Sequence, residues 1–202
     1  MKSVSFNIPD EYTILVGNIT IAWSNLEGYI DALIHSMLTG TDSHKKYVTN
    51  MLEMSSKIRL LRVLAHDDLC GGPMYKSLDN WLTYIDSTIR PARNDNAHAR
   101  WWTVTTFSGT ANTDVFSEKP VLKVTKPQSR LTEVVTSKNW QNHLPYLQNI
   151  EQAIGSALSF ITGFQVLLEH HRAGRKQDYI ASLLDRDYKQ IQVLNPTQDQ
   201  TN

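Results

Sequence analysis

The chain has 202 residues, 41% of them hydrophobic and 20% charged, with a formal net charge of zero at pH 7. This composition supports a core, argues against wholesale disorder, and gives no overall field for holding polyanions; nucleic acid, if bound, must be met by a local basic cluster. The single cysteine, Cys70, excludes a disulfide within one chain and reads as a partly buried thiol near a turn, the alternative being a reactive thiol. The opening residues lack a basic-then-apolar leader pattern, and no run of about 18 apolar residues suggests a membrane span. The expected location is the cytoplasm.

Apolar residues at Leu15, Ile19, Ala22, Trp23, Leu26, Ile30, Leu33 and Met37 recur in steps of three and four. They predict a long first helix that starts near Pro9 and Asp10 and ends near Gly40. A second helix opens near Ser55 or Ser56, with Ile58, Leu61, Leu64 and Ala65 on its stripe, and Gly71-Gly72-Pro73 breaks it. A third carries Leu78, Trp81, Leu82, Ile85, Ile89 and Ala92. Pro91 falls inside this pattern and predicts a kink or restart, because proline lacks the amide donor and crowds the preceding turn.

From Arg100 the period changes. Trp101 to Phe107 is aromatic and β-branched and reads as a strand. Val121 to Thr125 and Leu131 to Val135 are further strand candidates. Residues 101–136 are expected to form a small β insertion, too short to stand alone. A last long helix starts around Ser137, striped by Leu144, Leu147, Ile150, Ile154, Ala157, Leu158, Ile161 and Leu168. Residues 1–174 make one helical domain, and 175–202 a tail with a short helix around Tyr179 to Leu184. Four stripes that must each be covered predict a mainly α fold, a four-helix bundle with a β-hairpin or small sheet between its third and fourth helices.

Chemistry centres on Arg93-Asn94-Asp95-Asn96-Ala97-His98. Arginine offers a permanent planar fork of donors that matches phosphate. Histidine exchanges a proton near neutral pH. Together they suffice to move a proton beside a phosphodiester and stabilise the charge that develops, since RNA brings its own nucleophile, the 2′-hydroxyl. On an unbroken helix, residues five apart diverge by about 140°. Convergence of Arg93 and His98 therefore needs a distortion between Pro91 and His98, or a second subunit. Asn94 and His98 are four apart and share a face. Arg90 and Arg100 flank the segment and are the only basic feature linked to RNA.

This segment resembles the R-x(4–6)-H motif of the HEPN superfamily (higher eukaryotes and prokaryotes nucleotide-binding domains), with Asn94 as the polar residue that follows the arginine. Trp23-Ser24-Asn25-Leu26-Glu27 and Lys57-Ile58-Arg59-Leu60-Leu61-Arg62 resemble the first two helices of bacterial members, and the likeness spans roughly residues 10–170. The resemblance implies a metal-independent endoribonuclease without a cofactor. It implies a homodimer with two motifs across one cleft, in a toxin–antitoxin or other defence system with an antitoxin or regulatory protein as partner. His98 would then be general acid or base, Arg93 would hold the scissile phosphate, and Asn94 would support the site. The alternative is an inactive HEPN-like module that binds RNA, a nucleotide or a protein.

Other polar residues admit simpler readings. Glu27 and Asp31 lie one turn apart on the first helix and either face the motif, tuning His98, or form a solvated edge. His66-Asp67-Asp68 reads as a capped helix end, because neighbours on a helix point apart and cannot share a metal. His170-His171, with Arg172, Arg175 and Lys176, reads as a solvated basic helix end. Trp101 and Trp102 alternate across a strand, so one suits a core and the other a dimer or ligand contact.

Overall fold

The computed structural model describes the backbone of residues 2–5, 10–97, 100–108, 116–117, 121–125 and 137–174, and the side chains of 10–97 and 144–174. The protein is mainly helical. Strand β1 (Lys2–Ser5) is followed by helices α1 (Asp10–Met37), α2 (Asp42–Asn50), α3 (Met54–Leu69) and α4 (Pro73–Tyr84). A π turn (Ile85–Ile89) then leads directly into α5 (Arg90–Ala97). Strands β2 (Arg100–Ser108), β3 (Phe116–Ser117) and β4 (Val121–Thr125) precede α6 (Ser137–Arg172). The strand pairings are antiparallel, with β2 between β1 on one side and β3 and β4 on the other: Val4 faces Val104, and Val104 faces Val121. The candidate strand Leu131 to Val135 and the tail 175–202 lie outside the described residues.

The helical stripes bury themselves against one another. Ile19, Leu26, Ile30 and Leu33 of α1 join Ile58, Leu61 and Ala65 of α3, Leu78, Trp81 and Leu82 of α4, and Leu147, Ile150, Ile154 and Ile161 of α6 in one core. Helix α1 packs most extensively along α6, then along α3. An aromatic stack ties α4 to α6: the rings of Trp81 and Phe160 lie 4.9 Å apart and nearly parallel, and Phe164 continues the row 5.9 Å further on. Among the described residues no helix is long and apolar enough to cross a membrane.

Helix α2 has no counterpart in the expectations above. It buries only Thr49, so it has no apolar stripe to read. Polar contacts hold it instead: Lys45 Nζ donates to the His35 carbonyl, and His35 Nε2 lies 2.9 Å from Thr49 Oγ1. Helix α3 ends where Cys70 (φ 51°) and Gly71 (φ 67°) enter the left-handed region, a turn that stops a helix. Pro73 then starts α4 at a position whose amide needs no helical partner. Cys70 is exposed at this turn and not partly buried, because the reversal turns its side chain away from the core.

Around Pro91 the helix neither stops nor restarts. The widened turn ahead of it absorbs the proline, with the Arg90 amide reaching back to the carbonyl of Ile85. A π turn removes the demand that every amide find a partner four residues back, the demand that proline violates.

Phe164 is fully buried in the aromatic row, whereas Val166 on the same helix is 51% exposed. In urea unfolding, Phe164→Ala is expected to cost about 3–5 kcal/mol and Val166→Ala under about 0.5 kcal/mol. Equal losses would contradict this packing.

Candidate functional site

Helix α5 carries the motif up to Ala97 as regular α-helix. The distortion near Pro91 therefore lies ahead of Arg93 and does not fall between Arg93 and Ala97. The π turn sets the phase of α5, so that Asn96 is buried at 4% exposure, its Nδ2 donating to the Ala92 carbonyl, while Arg93 is half-buried against α1. His98 lies outside the described residues. So do the side chains of Arg100, Trp101 and Trp102, whose backbone runs in β2.

Arg93 sits in a partly dry setting. Its Cζ lies 5.6 Å from the centroid of the Trp23 ring, within cation–π range. Its Nη1 donates to Asn94 Oδ1 at 3.1 Å. Its Nε is buried with no hydrogen-bond partner among the described residues. Burial holds the guanidinium below its usual range, and the charge of Glu27 opposes that shift. An arginine loses water readily for a cation, but it still gains from an oxyanion that meets its open donors.

Trp23 and Glu27 are one turn apart on α1, and Asp31 is one turn further. The two carboxylates bracket Lys57 of α3: Nζ lies 2.8 Å from Glu27 Oε1 and 2.9 Å from Asp31 Oδ2. Lys57 is only 5% exposed. Glu27 and Asp31 are thus not a free solvated edge; both grip a buried cation. Asp31 Oδ1 is buried without a partner among the described residues. The buried pairing of Lys57 was missed in the sequence, although it had a signal: a charge beside the apolar stripe of Met54, Ile58 and Leu61, with two acids one turn apart on a neighbouring helix.

The remaining candidates are placed as follows. Arg90 Nε donates to Asp86 Oδ1 at 2.8 Å, one turn back, which engages part of its fork. His66 meets Tyr75 edge-on, with ring centroids 5.1 Å apart. Asp68 accepts two hydrogen bonds from Arg172, which also donates to the Ser36 carbonyl. Arg172 thus joins the ends of α1, α3 and α6 and is not merely a solvated end. Among the described residues no group of three or more His, Cys, Asp or Glu side chains is placed to hold a metal ion. The chain matches no family model, no curated protein and no solved structure.

Burial alone would push the Lys57 ammonium down, but its hydrogen bonds to Glu27 and Asp31, and their charges, more than offset this and raise it above 10.5. A group raised in the folded state stabilises fully below its unfolded value and loses that stability only as pH climbs through the folded one. Lys57→Met is therefore expected to cost about 2–3 kcal/mol, less than the ~3–5 kcal/mol of a fully buried pair because both carboxylates keep some water. The gap between wild type and variant in urea unfolding should stay constant from neutral pH to about pH 9.5. A gap that closes in that interval would contradict the bracketed cation.

Proposed function

We propose that the protein is a metal-independent endoribonuclease of HEPN type: a four-helix bundle with a β insertion between its third and fourth long helices, acting as a homodimer. The observation that carries the reading is Arg93, held on the Trp23 ring beside Asn94 in the last turns of α5, with His98 following directly in the chain. In this reading His98 removes the proton of the RNA 2′-hydroxyl. The 2′-oxygen attacks the adjacent phosphorus and the bond to the 5′-oxygen breaks. The products are a 2′,3′-cyclic phosphate and a 5′-hydroxyl, the latter protonated by the imidazolium of His98 or of its symmetry mate. Arg93 meets the extra negative charge on the phosphoryl oxygens. Asn94 fixes the guanidinium through Nη1, and Glu27 lines the site from α1. Arg90 and Arg100 flank the path of the strand. A second copy supplies the convergence that residues five apart on one helix lack. A defence or toxin–antitoxin role, with an antitoxin or regulator as partner, accompanies the reading.

A second reading has an observation of its own. Arg93 is half-buried with its Nε enclosed, which suits a HEPN-like module that binds RNA, a nucleotide or a protein without cleaving. Cleavage of RNA in EDTA separates the two. Wild type should cleave, His98→Ala should lose about 10²–10⁴ in rate, and Arg93→Ala about 10²–10³. Equal cleavage by wild type and His98→Ala would remove the nuclease reading, and binding without cleavage would leave the module.

A further inference from the structure

We infer that Lys57 is a positioning residue for Arg93: it holds the Glu27 carboxylate in place on α1 and so keeps it from closing on the guanidinium. The inference rests on the proposed phosphate-binding role of Arg93 and adds the means by which that group stays available.

Three helices meet at this point. Trp23 and Glu27 share one face of α1, a turn apart, and Arg93 of α5 lies over Trp23. Glu27 is near enough for its charge to act on Arg93. Yet among the described residues no ion pair joins the two, and Arg93 Nη2 makes no hydrogen bond. The carboxylate is spent elsewhere, on Lys57 Nζ at 2.8 Å. Asp31 holds the same ammonium from the next turn at 2.9 Å, so Lys57 is fixed between two anchors.

The charges of Glu27, Asp31, Lys57 and Arg93 cancel. Removing Lys57 leaves the three remaining groups with one net negative charge and frees a carboxylate on the same wall. A carboxylate tethered this close competes with any phosphate at high effective concentration. It matches the guanidinium fork as well as phosphate does. Lys57 therefore favours RNA binding without touching RNA.

The test measures binding of a fluorescein-labelled 2′-O-methyl octaribonucleotide, which lacks the attacking hydroxyl, by anisotropy at low salt with the full chain. Lys57→Met should weaken binding about tenfold, and adding Glu27→Gln should restore it to within about threefold of wild type. If the double variant stays as weak as Lys57→Met, the lysine is only structural and the inference is overturned. Glu27→Gln alone keeps the Lys57–Asp31 pair and does not depend on the folding of Lys57→Met. It should bind at least as tightly as wild type, and weaker binding would overturn the inference. Arg93→Ala separates the two levels. If it binds as wild type, the phosphate role of Arg93 falls and the inference with it. If it loses binding while Lys57→Met matches wild type, only the inference falls.

Discussion

The ammonium of Lys57, buried between two carboxylates of α1, fixes how α3 lies on α1. A charge on an otherwise apolar stripe is costly unless its partners stand at the right height on the facing helix. Glu27 and Asp31 are spaced one turn apart and meet Nζ from two sides. A slide of α3 by one turn would take the cation out from between them and cost it at least one of its two carboxylates. The apolar contacts among Leu26, Ile30, Ile58 and Leu61 are less particular about register. The charge therefore contributes specificity where the core contributes most of the stability. It also fixes Glu27, and with it the wall on which Arg93 rests.

The second constraint is Pro91. Its ring denies the helix one amide, and the chain answers with a wider turn at Ile85–Ile89 in place of a break. The helix continues without a break while its phase changes. As a result α5 presents Asn96 to the interior and Arg93 to Trp23. Widened turns of this kind are frequent at functional sites.

Much of the helical framework was legible in the sequence, since α1, α3, α4 and α6 each carry a stripe that must be covered. Ile19, Leu26, Leu61, Trp81 and Ile154 were all expected in a core and are there. Helix α2 was not legible, because polar bonds from Lys45, His35 and Thr49 hold it and these leave no period. The proline was read as a kink or restart because sequence rules give its local cost and not the turn that absorbs it. At the site, Arg93 and Asn94 were legible from residue chemistry. The Lys57 bracket was not, since it depends on the register between two helices, which no single stripe encodes. Glu27 was singled out, but its pairing with Lys57 was not foreseen.

The account turns on Arg93 as a guanidinium over the Trp23 ring that takes up phosphate. The direct measurement is the Arg93 Nε–Hε resonance, assigned by its loss in Arg93→Lys and followed by NMR during titration with the 2′-O-methyl octaribonucleotide. The account predicts an Hε signal displaced by the Trp23 ring current in the free protein, relaxed in Trp23→Leu, and shifting further in a saturable way as RNA is added. A signal at the ordinary arginine position, unmoved by saturating RNA, would contradict it.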